Sequence, residues 1–443
     1  MAERAPTWHR LHPLSPLIRS GRGVIAVLTI AGLSSTSMAG LGGGLHWYDI
    51  MIASAAAAAA IVNWFVTRWR LDGATLRIET GLFRRDSRQL PVARIQAVDV
   101  VRPLAARVLG LAELRVRLAG SSAADGRLSY LTESAAADLR ARLLAGHHGL
   151  DLATPEPGEY VVAAVPPGRL IGSALLPAIP LALVATALGI LLENAPRSDS
   201  VQVAAQQAGP LSPATLVAAA GPLAWWLVVS ATLAWRRVTS QYGFTVAASP
   251  DGIRIRRGLL GTVAETIPAQ RVQAVRMIEP LLWRPLSWCR LEVDVAGHPG
   301  REEREGSGAA RKALLPVGRL DQAAPLLRLA IGDGLPEPAK PPRRARWKAP
   351  FSYHFLAAGY TSTMTVAVTG RLRRETTWVP LAKAQSVRFV QGPIQRCLDL
   401  ATVHVDAAGH EAKAAFAQRS AGEASWLVTE LAAHSRTARR SKH

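Results

Sequence analysis

Three arginine clusters are the residues best placed to make contacts. They are Arg84, Arg85 and Arg88; Arg254, Arg256 and Arg257; and Arg371, Arg373 and Arg374. Each flanks the same kind of glycine-led turn. A fourth set, Arg343, Arg344 and Arg346, lies in a proline-rich run with Trp347 and Lys348. A guanidinium presents a rigid fork of donors to phosphate or carboxylate. Beside an anionic leaflet each such cation contributes about 1 kcal/mol. These twelve arginines are therefore the candidate lipid or partner contacts, and the competing reading is a solvated positive face that only sets topology.

Other residue types offer less chemistry. There is no Walker loop, no GxGxxG after a strand, no HExxH and no GxSxG. Gly42-Gly43-Gly44 lacks the following Lys-Ser/Thr that a phosphate cradle needs. His147-His148 sits in a glycine-flanked loop and reads as a solvated turn, and His298 and His410, which follow the equivalent hairpin glycines, read as turn residues as well. Cys289 and Cys397 form no CxxC and read as small hydrophobes in a reducing compartment. No enzymatic activity, no metal and no cofactor are expected.

Stepping from side chains to the elements that carry them, the polar segments repeat. Gly81, Gly258 and Gly370 each begin a stretch that aligns without a gap to Gly120, Gly297 and Gly409, and about nine of these roughly 40 columns are identical in all three copies. The identical positions include Pro91, Pro268 and Pro380, then Gln96, Gln273 and Gln385, then Arg107, Arg284 and Arg396. These nine residues read as structural: a buried amide fixing backbone, and an arginine beside an apolar turn.

Residues 75–80 and 114–118 alternate apolar with polar, as half-buried strands do. Each copy closes on an amphipathic pattern, at 134–144, 320–331 and 422–433, with Thr132 or Ser134 placed to cap the first. Several short strands and one terminal helix predict a small barrel capped by a helix.

Four apolar segments, 24–45, 50–67, 170–192 and 214–235, are each about the length that crosses a bilayer. Arg4, Arg10, Arg19, Arg22, Arg68, Arg70, Arg169, Arg236 and Arg237 lie at their outer ends rather than in the two short connectors. The positive-inside rule then predicts a multi-pass bacterial plasma-membrane protein with termini and polar domains in the cytoplasm.

The sequence [LI]-P-x-x-R-[IV]-Q-x-V followed by P-L-x-x-R, at 90–107 and again at 267–284, resembles the bacterial PH-like, membrane-flanked domains of the YdbS/YdbT type. The third copy departs from it, with Lys383-Ala384 in place of Arg-Ile and its proline at Pro393. The resemblance implies a seven-stranded PH-like barrel with a C-terminal helix, a membrane location and no catalytic activity.

The expected architecture is four transmembrane helices and three PH-like barrels. It divides into a basic tail (1–22), hairpin 1 (23–67), domain 1 (68–150), hairpin 2 (169–235), domain 2 (236–332), a Pro/Arg-rich linker (333–350), domain 3 (351–435) and a basic tail (436–443). The net charge of +20 requires an anionic partner. Lipids of the anionic leaflet, with a membrane-protein partner or a second copy, are expected, and nucleic acid is not. The expected function is a non-enzymatic membrane-surface scaffold binding lipid headgroups or partner proteins. The alternative is a component of a transport, export or antimicrobial-resistance system.

Overall fold

A computed structural model describes residues 8–13 and 15, scattered positions from 51 to 66, and then 67–72, 75–81, 86–118, 126–148, 159–176, 213–250, 252–296, 311–407 and 413–440. Among the described residues twenty strands make four antiparallel sheets.

The first sheet runs β1 (His9–Arg10), β2 (Arg68–Asp72), β3 (Thr75–Thr80), β4 (Asp86–Pro91). The second joins β7 (Gly126–Thr132), β6 (Leu111–Leu118) and β5 (Ile95–Arg102) to β11 (Thr262–Ile267), β10 (Gly252–Arg257), β9 (Thr245–Ser249) and β8 (Tyr160–Ala164). The third joins β14 (Arg311–Arg319), β13 (Trp288–Val295) and β12 (Val272–Pro280) to β17 (Arg373–Pro380), β16 (Met364–Thr369) and β15 (Ala357–Tyr360). The last holds β18 (Ala384–Val390), β19 (Leu400–Ala407) and β20 (Lys413–Ser420).

Each copy of the repeat thus contributes an N-terminal four- or three-stranded half and a C-terminal three-stranded half. Inside one copy the two halves face each other across a core. Between copies, the C-terminal half of one continues directly into the N-terminal half of the next. The core of the second copy takes in Met364, Val366 and Trp378 from the third, and the third copy's core takes in Ala274 from the second. Three PH-like barrels were expected, and the sheets of neighbouring copies are joined.

In chain order the described helices are α1 (Leu104–Val108), α2 (Glu133–His148), α3 (Pro167–Leu175), α4 (Pro213–Gln241), α5 (Leu320–Ile331), α6 (Ala345–Lys348), α7 (Pro393–Cys397) and α8 (Ala421–Arg440), and α2, α5 and α8 close the three copies. Thr132 Oγ1 accepts from Ala135 N at 3.4 Å, which satisfies an orphan donor at the start of α2. Leu139 and Leu143, Leu326 and Leu327, and Leu427 and Leu431 are the buried stripes of these closing helices.

The expected four transmembrane helices are corrected here. Among the described residues no helix is long and apolar enough to cross a membrane. The multi-pass plasma-membrane location and the membrane-hairpin architecture lose their support with it. Where the apolar segments are described, part of their hydropathy is spent on the β-sheets. Trp64 donates from Nε1 to Leu11 O at 3.0 Å and packs on the first core. In α3, Leu170 and Ser173 are buried, and Gly172 approaches the Trp288 ring closely. The segments 24–45 and 177–212 lie outside the described residues, as do Gly42-Gly43-Gly44, His298 and His410.

Candidate binding surface at the module junctions

The repeated residues mark out one device, built three times. Pro91, Pro268 and Pro380 each end a strand with φ near −60° and ψ near 125°, and a 3-10 turn follows at Val92–Arg94, Ala269–Arg271 and Leu381–Lys383. Proline fixes that φ and needs no ladder bond at a strand end. The chain then enters β5, β12 or β18, and the register slips at the second residue of each. The extra residue is Gln96, Gln273 or Gln385, so the repeated glutamine occupies a β-bulge. Gln273 is buried, donating to Arg271 O at 3.4 Å, whereas Gln385 is exposed, so a common buried-amide role does not describe the set.

After β5 and β12 come α1 and the 3-10 helix Leu281–Leu286, which carry Arg107 and Arg284. Arg107 Nη1 donates to Leu259 O at 2.9 Å, and Arg284 Nη2 donates to Arg371 O at 2.7 Å. Both acceptors lie in the glycine-led turn of the following copy. Arg284 also stands 5.7 Å from the Phe355 ring centroid, and Leu281 N donates to Leu372 O at 2.8 Å. The repeated arginine therefore pins one copy to the turn of the next. Arg396, the third equivalent, is exposed and its side chain has no partner among the described residues.

Each junction leaves apolar side chains in solvent. At the first these are Leu104, Val108 (77% exposed), Leu259 and Leu260; at the second they are Leu281, Leu282, Leu286 and Leu372 (70%). The turns can be this tight because Gly258 and Gly370 have φ of 113° and 89°; a Cβ at Gly258 would fall 1.8 Å from Gly261 O. The end of α4 meets the first of these turns, since Leu259 N donates to Thr239 O and Gly258 N to Tyr242 O. Arg237 lies over the Trp283 ring at 5.8 Å, and burial, then Arg290, lowers its pKa.

Basic groups rim the second patch. Arg371, Arg373 and Arg374 are all exposed, and Arg373 and Arg374 pair across strands with Pro280 and Glu279. Arg254 and Arg256 are occupied elsewhere, both in contact with Glu159, and Arg257 is half-buried. Arg88 meets Asp86 at 3.0 Å; Arg84 and Arg85 lie outside the described residues. The linker run forms α6, where Arg343 and Arg346 are exposed, Trp347 is 83% exposed and Arg344 meets Asp399 at 2.6 Å. The run preceding it is bound to the third copy: Arg419 donates to Ala339 O and Ala358 O at 2.7 Å each.

Sequence reasoning missed a buried charge network at the first junction. Arg117 reaches Asp99 at 2.9 Å and Glu265 at 3.0 Å, Lys312 contacts Glu265, and Thr266 N donates to Asp99 Oδ1 at 3.1 Å. Burial, then Glu265, raises the Asp99 pKa. At Glu265 burial pushes the same way, but Lys312 and Arg117 outweigh it and hold the carboxyl at about 2. The four residues come from β5, β6, β11 and β14, so no local spacing announces them.

A family model described as the bacterial PH domain matches residues 25–147, 174–331 and 313–434. The three matches correspond to the three copies and together cover most of the chain. No curated protein and no solved structure matches.

Proposed function

We propose that this chain, which belongs to the bacterial PH domain family, is a scaffold that docks on an anionic lipid surface through the patches at its module junctions. PH-like domains are generally non-catalytic binding modules. The observation that carries the lipid reading is the second junction, where Leu281, Leu282 and Leu372 stand exposed beside Arg371, Arg373 and Arg374. Apolar tips can enter the headgroup boundary while the guanidinium groups meet phosphate, and neither contribution alone gives firm binding. Three cations at about 1 kcal/mol each, with two leucines buried, amount to roughly micromolar attachment.

The test is co-sedimentation of the full-length chain with vesicles of phosphatidylcholine alone or with about one third phosphatidylserine. Binding to the second kind only, falling with salt, and at least tenfold weaker in Leu282→Asp/Leu372→Asp, is expected. Equal partition into both vesicle kinds, or none into either, removes the lipid reading and leaves a protein ligand for the same surface.

A further inference from the structure

The two junctions inside the chain are the same junction. Gly81 and Gly258 stand 177 residues apart, and Gly258 and Gly370 stand 112 apart. Arg102 pairs with Thr262 at the first junction; shifted by those spacings, the pair becomes Glu279 with Arg374, which the second junction makes. The correspondence holds for the arginine pins too, since Arg107 to Leu259 becomes Arg284 to Arg371. The fold therefore has a donor edge (β5, β12) and an acceptor edge (β11, β17) that join in one register.

One edge of each kind is left over. β18 is the third donor edge, and among the described strands it pairs only with β19. β4 is the first acceptor edge, and it pairs only with β3. Phe389 and Val390 on β18, and Asp86 to Gln89 on β4, are exposed. A strand at the edge of a sheet is a template for pairing with another strand.

We infer that β18 of one copy of this chain adds to β4 of a second copy, head to tail, in the register of the internal junctions. That register sets Val390 opposite Asp86, Phe389 opposite Ser87, Arg388 opposite Arg88 and Val387 opposite Gln89. Each of these has an observed counterpart: Val101 with Val263, Val100 with Ala264, Arg276 with Thr377, and Val275 with Trp378.

The facing arginines are the main objection, because like charges directly opposite destabilise a sheet. The first junction already solves the inverse problem, with Asp99 and Glu265 held by Arg117 and Lys312. At the new junction Arg388 carries Asp406 at 2.7 Å and Arg88 carries Asp86 at 3.0 Å, so two cations bring two anions. Asp406 and Arg117 are equivalent positions in the repeat, and the sign of the pair is simply reversed. One bond is lost: Pro393 stands at the position of Leu281, whose N–H bonds Leu372 O. The intermolecular junction also lacks the covalent tether that gives its internal counterparts a high effective concentration, so it is weaker and depends on concentration. The contact is heterologous, and successive copies make a ring if the rotation closes and a filament if it does not.

The test is disulfide trapping in the full-length chain with Cys397→Ser. The pair Ser87→Cys and Phe389→Cys sits opposite in the proposed register, within reach of a disulfide. Gln89→Cys with Phe389→Cys sits two residues out. Interchain ladders at least fivefold stronger for the first pair are expected, alongside a sedimentation mass that rises with concentration above 47.3 kDa for the unaltered chain. Equal trapping by both pairs, or equal trapping by either single cysteine alone, overturns the register. A single species of 47.3 kDa at every concentration overturns the association. Because the mass is read on the unaltered chain and without lipid, failure here is separate from failure of vesicle binding.

Discussion

Replacing Glu265 with glutamine tests whether the first junction is held by its buried charges. The carboxylate is 7% exposed and accepts from Arg117 at 3.0 Å and from Lys312. A shift from the ordinary 4.5 to about 2 corresponds to about 3 kcal/mol in favour of the ionised form. Because this carboxyl's folded pKa is depressed, its stabilisation is fully present above pH 4.5 and is lost as pH falls toward 2. Asp99 acts in the opposite sense. Its folded pKa is raised, so its ionised form costs stability at neutral pH and that cost disappears as it protonates. Glu265→Gln should therefore destabilise at pH 7 by about 2–3 kcal/mol, and flatten the loss of stability on acidification. Asp99→Asn should cost under about 1 kcal/mol, because the amide oxygen still accepts from Thr266 N and the like charge is gone. Urea unfolding combined with hydrogen exchange of the β5 and β11 amides reads both. An Asp99→Asn penalty equal to or larger than that of Glu265→Gln would refute the assignment of which carboxyl the cations serve.

Three other outcomes follow from particular sites. Gly258→Ala should destabilise by roughly 1–3 kcal/mol in thermal melts, since φ is 113° and the new Cβ meets Gly261 O, whereas Gly422→Ala meets nothing and should be near neutral. Arg419→Met strips donors from Ala339 O, Lys340 O and Ala358 O and should cost about 3 kcal/mol, with proteolysis appearing first in the 332–350 run. Cys289, whose thiol burial, then Glu279 and Asp321, pushes up to about 12, should resist iodoacetamide at pH 8 by more than about a thousandfold relative to the exposed Cys397. Equal labelling of both cysteines in the native chain would contradict the packing of β13.

The repeat, the strand patterns and the closing helices were legible because each is written in local spacing. β3 occupies 75–80, as alternation predicts, and α5 occupies 320–331. What could not be read was how copies join. Arg107 looks like a residue of its own turn until Leu259 O, 152 positions away, is seen to accept from it. Likewise Asp99 and Glu265 are ordinary strand carboxylates in sequence and become a buried pair only when β5 lies beside β11. Apolar run length is ambiguous for a related reason: Trp64 and Leu170 are covered by the protein itself, while Phe65 and, on α4, Leu227, Leu233 and Trp235 stand exposed. The basic clusters were equally ambiguous, since Arg254 lies within β10 and contacts Glu159, while Arg371 follows the turn glycine and stands in solvent.

Shared sheets also change what the unit of binding is. A lone copy would present half a patch: Leu281, Leu282 and Arg284 belong to one repeat, and Arg371, Leu372 and Arg373 belong to the next. The exposed apolar tips are held in place by bonds that cross the boundary, Leu281 N to Leu372 O and Arg284 to Arg371 O. The repeated arginine acts as a pin at both internal joints, through Arg107 and Arg284, while Arg371 and Arg373 on the second turn carry exposed charge. Of the identical columns, the arginine secures the two internal joints, and the proline and glutamine shape the turn and bulge that lead to them. In the third copy the equivalent arginine, Arg396, is exposed, and among the described strands β18 pairs only with β19, so the pinning seen at the two internal joints has no third instance within the described residues.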